Sequence, residues 1–280
     1  MRFLQRVVGE MFGQETIEFA SMGKLVRDTP ENELIAILQD RLKNRLFPEL
    51  PDLLVRPYIE AAKQYNAPVD MFEKLITIVA PQAVMEGKTA QEMPAGVRWS
   101  DSSNMNILYL HEDYTGSVER LADIVVHELG HIFTGYKNYM CRTNPDSEQR
   151  IMFGVPQPYS SSIDEGFSEY VRMKFSTEPD IFPGLDKEPE YRQPNLLQWA
   201  DVEGFGKDRF ILPILDKQGD EGKEMGYQAT PSILYYANAK GRYENLIQNY
   251  NRLNRTRDAD PFNWELINQL EESINNVFVD

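Results

Sequence analysis

The sequence predicts an α+β fold, and three observations carry that reading. Apolar residues recur at helical spacing towards both ends of the chain, a short block of strand-like segments lies between 75 and 111, and no unit repeats. Helices, then a small antiparallel or mixed sheet, then helices is the order expected when α and β elements segregate. Hydrophobic residues at 41% and charged residues at 26% of 280 positions supply a core and argue against wholesale disorder.

The first helix is predicted over 30–47. Asp28 or Thr29 precedes Pro30, which suits a first turn, and Leu34, Ile35, Leu38 and Leu42 share a face. A second helix is predicted over 53–66, ending at Asn66-Ala67-Pro68. Leu75-Ile76-Thr77-Ile78-Val79, halted by Pro81, reads as a strand, and polar residues 82–95 as a surface loop. Residues 97–99 and 106–111 flank a turn-rich stretch and read as a hairpin. A long helix is expected over 117–134, with Val118, Leu121, Ala122, Val125, Leu129 and Ile132 inward and Gly135 as its cap. Residues 136–161 read as an extended loop, 163–175 as a helix, and 176–226, rich in Pro, Gly and Asp, as irregular chain. Three helices near 231–240, 242–254 and 261–278 follow, the last with Phe262, Leu266, Leu270 and Ile274 as its stripe.

Charge narrows the functional classes. Lys+Arg number 29 against 44 Asp+Glu, a net charge of −15. Such a field repels phosphate backbones and anionic lipid, so neither nucleic acid nor a membrane surface is the expected partner. No apolar run approaches the ~20 residues of a membrane span. The N-terminus starts basic and apolar, but Gly9, Glu10, Gln14 and Glu15 interrupt it before a Sec signal accumulates. The expectation is a cytoplasmic protein or one exported without such a signal. Cys141 is the lone cysteine, which excludes an intrachain disulfide and a cysteine-based zinc site.

The chemistry concentrates in His127-Glu128-Leu129-Gly130-His131. Positions i and i+4 of a helix fall on one face, so both imidazoles reach one ion, with Glu128 beside any water that ion holds. Ile124, Val125, Val126, Leu129, Ile132 and Phe133 make this helix apolar nearly all round. It is therefore buried, and buried imidazoles need partners or a metal. No third histidine follows at short range, and His111 is expected to be a strand or rim residue. The third ligand is then sought in Asp164-Glu165-Gly166-Phe167-Ser168-Glu169-Tyr170, where Glu165, Glu169 and Arg172 share one helical stripe. Glu165 is the favoured ligand and Asp164 the substitute. Glu169 is placed to accept a hydrogen bond from a liganding histidine and fix its tautomer. Ser162 and Glu165 also have capping-box spacing, so the competing role for Glu165 is to cap its own helix.

These two motifs together resemble the gluzincin zinc metallopeptidases. Within that group the sequence is most similar to the plant basic secretory protein family and its bacterial relatives. The resemblance covers about 75–253 and includes Asn106-Ile107-Leu108-Tyr109-Leu110 and the weaker block Gly226-Tyr227-Gln228-Ala229-Thr230. It implies a zincin-like domain over 71–280, with the sheet and active-site helix in 71–162 and a helical part in 163–280. Residues 1–70 become an N-terminal helical extension. The resemblance further implies one Zn²⁺ on His127, His131 and Glu165, and hydrolysis of a peptide or protein substrate. Glu128 is then the general base. Tyr227, just before a helix that Thr230 caps and Pro231 opens, stabilises the oxyanion. The strand at 105–111 would be the edge that pairs with extended substrate. Met85-Glu86-Gly87 is not the signature of gluzincin aminopeptidases, so endopeptidase activity is expected. The sequence departs from the family in its acidity, in lacking an evident secretory signal, and in the 34 positions from His131 to Glu165.

Two rival readings make different demands on the residues. A catalytically inactive zincin-fold binding protein would have no need of the intact Glu128. A di-iron carboxylate site would need a second Glu-x-x-His pair, but Leu108 stands three residues before His111.

Overall fold

The computed structural model describes residues 24–143, 154–175 and 211–278. Helices α1 (Glu31–Leu42), α2 (Leu50–Gln64) and the short α3 (Asp70–Glu73) lead into strands β1 (Leu75–Ala80), β2 (Ala95–Ser100) and β3 (Met105–His111). Then come α4 (Val118–Thr143), α5 (Ser161–Phe175), α6 (Ile211–Leu215), α7 (Gly219–Gln228), α8 (Thr230–Ala239), α9 (Tyr243–Ala259) and α10 (Trp264–Asn275). The fold is α+β, mostly helical, with a small mixed sheet. Among the described residues no helix is long and apolar enough to cross a membrane.

β2 and β3 form the expected hairpin, with Val97 opposite Leu108 and Trp99 opposite Asn106. β1 joins β3 in parallel, Ile76 opposite Ile107, which gives the sheet order β1-β3-β2. β3 is therefore the central strand, and the edge beside α4 is β2. This corrects the expectation for 105–111: its backbone groups are paired on both sides, so it has none left for a substrate strand.

The core is one continuous cluster. Leu121, Val125 and Leu129 of α4 are fully buried, and each such side chain contributes about 1.5–3 kcal/mol. Aromatic contacts carry the cluster from α2 through α4 to α5: Tyr58 and Tyr65 lie 5.5 and 5.6 Å from Phe133, and Tyr65 lies 5.2 Å from Phe167. The helices within 24–70 thus share the core that backs α4.

Several boundaries differ from the sequence reading. The first helix stops at Leu42, because Asn44 Oδ1 accepts from the backbone of Leu46 and Phe47 and turns the chain. α4 runs through Gly135 to Thr143, which moves part of the predicted loop 136–161 into helix. Residues 144–153 and 176–210 lie outside the described residues. Within the stretch read as irregular, α6 and α7 are helical. Gly222 and Gly226 there are not loop signals but contact points one turn apart. A Cβ on Gly222 would meet the Lys217 carbonyl oxygen at 2.3 Å, and one on Gly226 the Glu165 Cβ at 2.5 Å. In the last helix Asn263 caps Leu266, and Phe262 is 80% exposed rather than part of the stripe. Leu270 and Ile274 face inward as expected, joined by Ile267.

The α4–α5 crossing is set by Gly130, where an added Cβ would fall 2.7 Å from Ser168 Cα. Both sides of that contact are backbone or close to it, so relief requires moving a helix. Gly130→Ala is expected to lower stability by about 1–3 kcal/mol, as overpacking does. Chemical denaturation measures this; an unchanged midpoint would mean that the helices separate at no cost.

Candidate metal centre

α4 and α5 place the predicted residues against each other. α4 is held rigidly because it is apolar on nearly every side, and its one polar stripe carries Asp123, His127 and His131. α5 starts where Ser160 Oγ accepts from the Ile163 amide at 3.0 Å, the bond expected of an N-cap. Ser162, the proposed partner in a capping box, instead bonds Thr230 Oγ1 at 2.7 Å, and its amide donates to Lys217 O at 3.1 Å. Glu165 is thereby relieved of the capping role and points to α4.

One carboxylate oxygen, Glu165 Oε2, lies 3.4 Å from His127 Nε2 and 3.5 Å from His131 Nε2. Ligand atoms of the three residues all lie within 4.8 Å of one another. Direct charge-assisted hydrogen bonds would be about 2.7–2.9 Å. Ligands about 2.1 Å from a tetrahedral zinc sit about 3.4 Å apart, so the observed spacing fits a shared cation better than direct pairing. The donor set, two imidazole nitrogens and one carboxylate, is also the set a catalytic zinc takes.

The outer imidazole nitrogens are oriented by carboxylates. His127 Nδ1 faces Glu169 Oε2 at 3.2 Å, and His131 Nδ1 faces Asp164 Oδ1 at 3.1 Å. Asp164 accepts a further bond from Thr134 Oγ1. Glu169 is only 1% exposed, and its second oxygen is held by Arg172, which also reaches Asp123 on α4 at 3.3 Å. Asp123 and Arg172 complete a buried relay that the motif alone does not announce. The usable signal was spacing: Asp123 stands one turn before His127, and Arg172 one turn after Glu169.

Charge sets the proton affinities. Burial opposes the charged imidazolium, yet for His127 the Glu165 and Glu169 carboxylates outweigh it and raise the pKa above the ordinary 6.5. For His131, Asp164 and Glu165 outweigh burial and raise it well above that value. Glu165 is pulled far below the ordinary carboxylate range, the two histidine partners outweighing its burial. Glu128 moves the other way. Burial raises its carboxyl above the ordinary value, although the two histidines pull it down.

Tyr227 sits in the last turn of α7 and, as expected, just before α8, which Pro231 opens; Thr230 bonds Ser162 instead of capping α8. The Tyr227 ring stacks on His127 at 5.6 Å, and its hydroxyl donates to Glu165 Oε2 at 2.9 Å. Gly226 permits this approach by leaving α7 free of a side chain against α5. Burial and the Glu165 charge raise the phenol pKa, so the hydroxyl keeps its proton.

His111 stands apart from the cluster. It is buried at the end of β3, with Nε2 3.1 Å from Lys88 O and Nδ1 accepting from the Asp113 amide at 3.1 Å. It anchors the 82–95 segment, a mostly exposed surface loop as expected, which also walls two cavities beside the cluster. The larger, about 670 Å³, runs past Tyr114, Arg120 and Ile124; the smaller, about 420 Å³, past Val97, Trp99 and Tyr109. Both include Glu128, His131, Glu165, Lys88 and Lys223, so the cluster lies at their junction. The chain has no match among protein-family models, curated proteins or solved structures.

A cation needs both imidazoles neutral, and both pKa values are raised above 6.5 without one. Zinc affinity is therefore expected to fall as pH drops through a window lying above 6.5, by about tenfold per pH unit for each imidazole that titrates. Chelator competition from about pH 8 to about pH 6 tests this, and a flat profile contradicts it. Glu169→Gln is expected to weaken zinc binding by about 10–100-fold in the same assay.

Proposed function

We propose that the protein is a zinc-dependent endopeptidase of the gluzincin kind, on a zincin-like scaffold. The observation that supports it most directly is a single Glu165 oxygen 3.4 and 3.5 Å from the inner nitrogens of His127 and His131. In this reading those three side chains hold the ion. Zinc, when bound, supplies a Lewis acid and lowers the pKa of a coordinated water to about 7.

The remaining steps belong to the chain. Glu128 takes the proton of the attacking water on its carboxylate and returns it to the leaving amine nitrogen. Its position at the junction of both cavities gives it access to substrate on either side. Glu169 and Asp164 hold the two imidazoles as Nδ1–H tautomers, which leaves each Nε2 lone pair for the ion. Tyr227 remains a hydrogen-bond donor, available to a carbonyl oxygen that replaces Glu165 as its acceptor.

Two features favour an endopeptidase. Space continues on both sides of the cluster, so a chain can enter, cross and leave. β2 is an edge strand beside α4, and its outer backbone groups suit an extended substrate.

Metal analysis and casein-type proteolysis on three proteins test the reading. Wild type should bind one zinc and hydrolyse. Glu128→Gln should keep the zinc and lose about 10²–10⁴-fold in kcat. Glu165→Ala should lose the metal. A fully active Glu128→Gln protein ends this mechanism.

A further inference from the structure

The chain as a whole is strongly anionic, but the larger cavity beside the cluster is balanced in charge. Four basic and four acidic residues line the larger cavity, against 29 and 44 in the sequence. The acids there are largely committed. Glu165 belongs to the ion cluster, and Glu169 is held by Arg172 and His127. Glu92 accepts from the Thr89 amide and hydroxyl at 2.8 Å. Glu128 is reserved for proton transfer.

The cations are freer. Lys223 lines both cavities and, among the described residues, has no hydrogen bond or ion pair. Two acids of its own helix are engaged elsewhere: Glu221 pairs with Lys217 at 2.6 Å, and Glu224 accepts from Gln228 at 3.2 Å. Lys88 also lines both cavities, and its ammonium is 3.9 Å from Glu86, too far for a hydrogen bond. Arg120 is exposed in the larger cavity, and its guanidinium has no partner among the described residues.

Their placement relative to the cluster matters more than their number. Lys223 is one turn before Tyr227, about 6 Å along the axis of α7, and Tyr227 touches Glu165. Arg120 is seven residues before His127, hence on the same face of α4 and about 10 Å away along it. An extended peptide advances about 3.3 Å per residue. On this spacing Lys223 would meet a side chain next to the scissile bond and Arg120 one about three residues further out, while Lys88 lines both cavities with Lys223.

Resting on the peptidase reading, we propose that the cleft selects acidic peptides: an Asp or Glu beside the scissile bond, read by Lys223 and Lys88, with a further acidic residue favoured at the Arg120 end. The negative surface elsewhere slows the approach of such substrates. Lys223, Lys88 and Arg120 offset this locally, since a field focused in a low-dielectric cleft outweighs distant charge.

The test uses zinc-loaded full-length protein and three matched fluorogenic peptides carrying Glu, Gln or Lys beside the bond. The Glu peptide is expected to exceed the Lys peptide by about tenfold in kcat/KM, less at high salt. Lys223→Glu should erase or invert the preference. Binding of the same uncleaved peptides to the Glu128→Gln protein, followed by fluorescence anisotropy, reads selectivity without turnover. Equal affinities, or a preference for Lys, overturn the proposal. Selective binding of the Glu peptide with no cleavage of any peptide by wild type sustains acidic recognition and rejects the peptidase reading.

Discussion

Two buried imidazoles face one carboxylate across the α4–α5 contact at separations too long for direct charge-assisted bonds. Most of the molecule's local design follows from that arrangement. Burying these groups is costly unless charge is compensated, and the surroundings add carboxylates rather than cations at the inner side. Glu165, Glu128, Asp164 and Glu169 together impose a negative potential that a divalent ion would neutralise. The same potential raises the proton affinity of both histidines, so a proton and a cation would compete for one pair of nitrogens.

The helices that carry the cluster are locked by small residues. Gly130 brings α4 onto Ser168, and Gly226 brings α7 onto Glu165, so a backbone approach on each side fixes the ligand spacing. A second tie runs from Asp123 through Arg172 and Glu169 to His127, crossing from α4 to α5 and back. Precision at the proposed metal site thus comes from contacts outside it. The exposed Tyr227 is the exception, because it joins Glu165 from the solvent side and is the member best able to exchange partners.

Net charge describes a protein poorly at the scale of its cleft. The excess of acids is a property of the whole sequence, whereas Lys88, Arg120 and Lys223 line the larger cavity beside the cluster. The 82–95 segment is the surface loop its polarity predicts, and the His111 bond to Lys88 O makes it a cavity wall as well.

Local pattern was enough for what is local. The i, i+4 spacing put His127 and His131 on one face, apolar residues around them marked α4 as buried, and β-branched runs placed the strands. The Glu165–Glu169–Arg172 stripe was equally visible, because one helical turn is a property of consecutive residues. Local pattern misjudged α7, whose glycines look like loop residues until the helix they press against is known, and it let Gly135 end a helix that continues. The family resemblance misplaced the sheet edge, since whether β3 is central depends on where β1 lands. Sequence by itself determined the strands, most of the helices and the candidate side chains. Only the tertiary structure decided that Glu165 turns from its own helix cap to the histidines, that Asp123 joins Arg172, and that lysines from separate segments meet at one cleft. Those contacts span tens of residues, and chain periodicity carries information about a few turns at most.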